Sequence, residues 1–75
     1  MPIYHFNIAD HVDAPDETGT ELPDDEVARI EAVTFVGAYL RDNPRLVWDG
    51  ERFCVVVTDE QDRRLFTVSV EAKLD

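Results

Sequence analysis

Asp10, Asp13, Asp16 and Glu17 place four carboxylates at positions i, i+3, i+6 and i+7. Such oxygens suit a hard cation, and calcium takes six to eight of them. The spacing matches no EF-hand loop, because Gly19 falls after the last of these acids and not at the sharp turn among them. His5 and His11 could add imidazole nitrogens for a transition metal. Neither a Cys-x-x-Cys pair nor a His-x-x-x-His pair accompanies them. The stretch reads as a solvated acidic loop, and no metal or other cofactor is expected.

Nucleophilic chemistry fares no better. Cys54 is the single cysteine, and a reactive thiol needs a nearby base or cation to lower its pKa. Its neighbours are Phe53 and Val55, so it reads as a structural or half-exposed thiol within a strand. No glycine-rich phosphate loop, nucleophile elbow or Ser/His/Asp spacing is present. Catalysis is not expected.

The elements that carry these residues must form within 75 residues, which predicts one α+β domain over 1–75. A chain this short buries about 60–65% of its unfolded surface, so its core gains from self-association. One cysteine excludes an internal disulfide and points to a reducing, cytoplasmic setting. No secretory leader or membrane-length apolar run is visible. Seven basic residues against 17 acidic ones give a net charge of −10. That charge opposes binding to phosphate backbones and anionic lipid, so neither nucleic acid nor membrane is an expected partner.

Tyr4, Phe6 and Ile8 alternate with His5 and Asn7, the pattern of a half-buried strand, with Ile3 as the exception on the polar face. Residues 10–26 hold eight acids and no Lys or Arg, broken by Pro15, Gly19 and Pro23. This is a loop in which Thr20-Glu21-Leu22 forms a brief strand. Pro23-Asp24-Asp25-Glu26 starts a helix, with an Asp cap and acids at the positive end of its dipole. The helix runs to Leu40 and stops at Asn43-Pro44. After a turn at Trp48–Glu51, Phe53–Thr58 and Leu65–Glu71 form an antiparallel hairpin across Asp59–Arg63. The class is therefore α+β, one helix on a small, mainly antiparallel sheet, in the order β-(β)-α-β-β. Phe6, Phe35, Tyr39, Val55, Val57, Phe66 and Val68 are expected to share one core.

Placing helix residues about 100° apart separates two apolar stripes. Ala28, Ala32, Phe35 and Tyr39, with Val36 at the edge, suit packing on the sheet. Ile30, Val33, Gly37 and Leu40 form a second stripe, which a helix on a single sheet does not need. A mid-helix glycine costs about 1 kcal/mol relative to alanine and asks for a reason. The second stripe is the candidate interface. The expected function is a small acidic interaction or regulatory module, a homodimer or the companion of a small protein. The alternative is an antitoxin-like or inhibitor-like acidic protein that occupies the basic site of a partner, in keeping with the element order of small antitoxin-like β-β-α domains.

Met1-Pro2-Ile3-Tyr4-His5-Phe6, Asp16-Glu17-Thr18-Gly19-Thr20-Glu21-Leu22-Pro23, Ala28 with Glu31-Ala32, and Val55–Glu60 span nearly the whole chain. Together they resemble a family of short bacterial proteins of unknown function. Its pattern is an N-terminal aromatic strand, a D-E-x-G-x-E-L-P segment, one helix and a C-terminal hairpin. The resemblance implies this fold and no activity. Family members carry Gly in the final turn, where this chain has Gln61-Asp62.

Overall fold

Alternating apolar residues build the first strand, β1 (Ile3–Ala9), and set the sheet face on which everything else packs. The computed structural model describes residues 1–9, 16, 18–47, 52–73 and 75. β1 is followed by β2 (Thr20–Glu21), α1 (Asp25–Asp42), β3 (Arg52–Thr58) and β4 (Arg64–Glu71). The four strands make one antiparallel sheet in the order β2-β1-β3-β4, with α1 across one face. The α+β class read from the sequence holds. The turn expected at Trp48–Glu51 lies outside the described residues.

α1 begins where its chemistry dictates. Asp24 is the cap, and its carboxylate accepts the Val27 N–H at 3.0 Å. Asp25 and Glu26 occupy the first turn and Arg41 the last, each complementing the local dipole. The helix runs two residues past Leu40, ending where Asn43 Nδ2 donates to the Tyr39 carbonyl at 3.0 Å. Pro44 then prevents continuation.

Ala28 and Ala32 are fully buried, and their small side chains let α1 sit close to Tyr4 and Val57. A second cluster joins Val36 to Ile8, Phe53 and Val55. Phe6 and Val68 touch both clusters, so the expected core is real but has two lobes. A row of rings runs through the second lobe from Phe6 to Phe35, Tyr39 and Phe53, and the last two stack at 5.3 Å and 12°.

Phe66 packs on the first lobe and, like Phe6, Phe35, Tyr39 and Val68, is half-buried. β4 contains a bulge: Val57 faces Phe66 but Thr58 faces Arg64, leaving Leu65 as the extra residue. Strict alternation would send Leu65 outward. The bulge lets Leu65 and Phe66 both pack on the first lobe. In the β3–β4 turn, Asp62 takes a left-handed φ of 65°, a conformation that Asp adopts more readily than most residues. The Asp59 carboxylate accepts the Gln61 and Arg63 N–H groups and the Arg63 Nε. The Arg63 N–H contributes most to holding the Asp59 carboxyl below its usual pKa.

Tyr4 links the sheet to the start of α1. Its ring is buried and its hydroxyl donates to Asp25 Oδ1 at 2.7 Å. That bond, then burial, then the charges of Asp25 and Asp24 push the phenol up from 10.0 to about 12. The folded state therefore keeps this proton after the unfolded state has lost it. The resulting stabilisation is complete below pH 10 and disappears as pH rises through 12. Urea midpoints of wild type and Tyr4→Phe should differ by a constant amount below pH 10. The wild-type advantage should shrink between pH 10 and 12; a gap that stays constant there would contradict the assigned bond.

Candidate interaction surface

The helix has one face against the sheet and one against solvent, and the apolar residues of the solvent face are the chemical anomaly. Ile30 and Val33 are 58% and 61% exposed. With Glu26, Arg29 and Thr34 they line a shallow open depression along the outside of α1. The Arg29 guanidinium lies 6.0 Å from the centre of the Phe66 ring, within cation–π range. Gly37 is exposed on the same side, and a β-carbon built there meets nothing within 4 Å.

Leu40 departs from the expected stripe. It is half-buried and packs on the second lobe beside Leu46 and Val47, where the chain folds back after α1. The exposed set is therefore Ile30, Val33 and Gly37, continued by polar residues. Gly37 has no role in the packing of the described residues that would explain the absence of a side chain. Gly37→Ala should accordingly stabilise the dilute monomer by about 0.5–1 kcal/mol, read from urea unfolding. A destabilised variant would mean that α1 is crowded at Gly37 within the monomer.

A second concavity lies between α1 and the β1–β2 edge. Phe6, Asp16, Thr20, Glu31 and Phe35 line a space of about 410 Å³. Two rings and two carboxylates there would suit a cationic side chain. Asp16, however, is already engaged: Oδ2 accepts the Phe6 N–H at 3.1 Å, and Oδ1 accepts the Thr18 and Gly19 N–H groups. Burial pulls its pKa upward, but these three bonds and the nearby His5 outweigh that and hold it below the usual value. The Asp16 main chain is fixed as well, by the Asn7 side chain to its N–H and by the His5 ring to its carbonyl. Asn7 Nδ2 in turn donates to the Val56 carbonyl and to Thr58 Oγ1 on β3.

The acidic segment thus has a structural use that its spacing did not reveal. Asp16 fastens the return of the loop to β1, and Gly19, with φ +80°, crosses over Ile3 and His5. Ile3, out of pattern in the sequence, packs under that glycine. Glu21 pairs with Ile3, Leu22 reaches the first lobe, and Pro23 precedes the helix cap. Asp10, His11, Asp13 and Glu17 lie outside the described residues. Among the described residues, no three His, Cys, Asp or Glu side chains converge as a metal-ligand set. Cys54 is buried on the sheet face away from α1, with Sγ 3.3 Å from Ser69 Oγ.

Fold and surface together define a small α+β domain with a helix against one sheet face and an apolar strip on that helix's outer side. The chain belongs to the family described as a domain of unknown function, DUF6894, whose model matches residues 3–71. No curated protein and no solved structure matches it. Among the described residues, no helix is long and apolar enough to cross a membrane.

Proposed function

We propose that the domain is a small protein-interaction module that docks through the outer face of α1 and performs no catalysis. The observation that carries this reading is the exposed pair Ile30 and Val33, adjacent on a helix whose inner face already supplies its share of the core. Burying both side chains would stabilise a complex by about 1.5–3 kcal/mol each, scaled down by the area they already hide. The net charge of −10 favours a protein partner over nucleic acid or anionic membrane.

Val33→Glu tests the reading. An unpaired carboxylate in a desolvated contact opposes association strongly, while at an exposed helix position it leaves the monomer fold intact. Wild type used as bait should retain a partner, either a second copy or another protein, that the variant loses while keeping its circular dichroism. Equal retention by both proteins would remove the outer face of α1 from function.

The groove at Phe6, Glu31 and Phe35 favours a second reading, in which a basic side chain of an inhibited or regulated protein lies against the rings beside Glu31. Such a complex should weaken steadily with salt and with Glu31→Lys.

A further inference from the structure

Resting on the reading of the α1 outer face as a docking surface, we infer that its occupant is a second copy of this chain. The two α1 helices lie antiparallel across a two-fold axis at Val33 and Thr34. Helical spacing puts Glu26, Ile30, Val33, Thr34, Gly37 and Arg41 on the solvent side of α1, where all six are exposed. The strip is palindromic in its chemistry. Reversing one helix against another brings Glu26 opposite the partner's Arg41, and Arg41 opposite the partner's Glu26. It also brings Ile30 opposite the partner's Gly37, and Val33 opposite the partner's Thr34.

Each pairing is complementary. A two-fold contact presents the same patch twice and so must match itself reversed. Ile30 is the bulkiest apolar side chain of the strip and is 58% exposed, and Gly37 is the place where nothing stands within 4 Å of an added β-carbon. The partner's Ile30 fills that space, which accounts for the glycine. The ends pair acid with base, and among the described residues Arg41 makes only a loose 3.5 Å contact with exposed Asp42 of its own chain. A parallel arrangement would instead set Glu26 against Glu26 and Arg41 against Arg41, which is repulsive.

Each copy carries −10 overall, so charges away from the strip repel. Screening at physiological salt confines this to about 8 Å. Self-association should therefore tighten as salt rises, the reverse of a complex with a basic protein. A single-helix contact belongs to the small, reversible class of interfaces, below about 1,200 Å².

Cysteine cross-linking with oxidised glutathione tests the geometry at exposed positions, with wild type, whose Cys54 is buried, as the control. Val33→Cys, beside the axis, should form a disulfide-linked dimer. Glu26→Cys alone should not, because antiparallel helices hold the two copies of position 26 about 22 Å apart at 1.5 Å per residue. Mixed Glu26→Cys and Arg41→Cys proteins should link to each other. Reduced samples must match the wild-type circular dichroism.

Self-linking of Glu26→Cys as efficient as that of Val33→Cys overturns the antiparallel arrangement. If no variant links, yet Val33→Glu loses another captured protein, the second copy is wrong and the docking face stands. If Val33→Glu changes nothing, the docking face itself is wrong.

Discussion

Phe53→Ala should lower the unfolding free energy by about 3–5 kcal/mol, measured from urea midpoints at constant m-value. Phe53 is 1% exposed, the bulkiest of the side chains wholly enclosed, and stacked on Tyr39. Truncation removes its burial and leaves a cavity between α1 and β3 that the row of rings cannot close without leaving its stacked geometry. A domain of 75 residues has about 4–11 kcal/mol in total. The variant should therefore be partly unfolded at 37 °C. Phe66→Ala, at a half-buried position on the outer strand, should cost clearly less. Equal costs at the two sites would show that β4 is as enclosed as β3 and would contradict the strand order.

The second large effect is expected at Gly19. Two penalties coincide in Gly19→Ala. A left-handed φ of +80° costs an alanine about 1–2 kcal/mol. The new β-carbon would also stand 2.5 Å from Ile3 Cγ2 and 3.0 Å from His5 Cε1. Neither neighbour yields easily: Ile3 is stiff at its branched carbon, and the His5 ring is tied to the Asp16 carbonyl. Crowding of this kind adds about 1–3 kcal/mol, for a total of about 2–5. The contrast with Gly37→Ala is the sharper test, since the same substitution should have opposite signs at the two positions. Similar effects at both would mean that Gly19 is not held over β1.

The two glycines also mark how far residue patterns reach. Tyr4, Phe6 and Ile8 announced β1, and Asp24 with Asn43-Pro44 bracketed α1, because these signals are local: a period or a cap spans a few neighbours. Gly19 and Asp16 were visible only as members of a segment. Their roles depend on Phe6, Ile3 and His5, ten or more residues away along the chain, and no local period encodes that meeting. The bulge at Leu65 is equally invisible to alternation, which contains no sign of an inserted residue. Leu40 was placed on the outer stripe because its helical angle lies between the two faces. Leu46 and Val47, folding back after the helix, draw it to the core side. The candidate surface was read as four residues, and three of them are solvent-exposed.

The strand order has a consequence for synthesis on the ribosome. β1 is translated well before its main partner, β3, with which it forms pairs from Ala9↔Cys54 to His5↔Thr58 that span 45 to 53 residues. Until β3 leaves the exit tunnel, β1 has only the two-residue β2 to pair with, and the inner face of α1 has no complete sheet to cover. Closing so long a loop is slow because its entropy is lost before any distant contact repays it. Between the emergence of β1 and that of β3, the strand and the inner face of α1 therefore lack their main partner. Six of the eight acids of residues 10–26 lie between β1 and α1 in the chain and the other two open α1, so like charge opposes the clustering of these segments before β3 arrives. The same acids that cap α1 at Asp24 and tie the loop to β1 at Asp16 in the finished fold thus also set the charge of the segment that precedes α1.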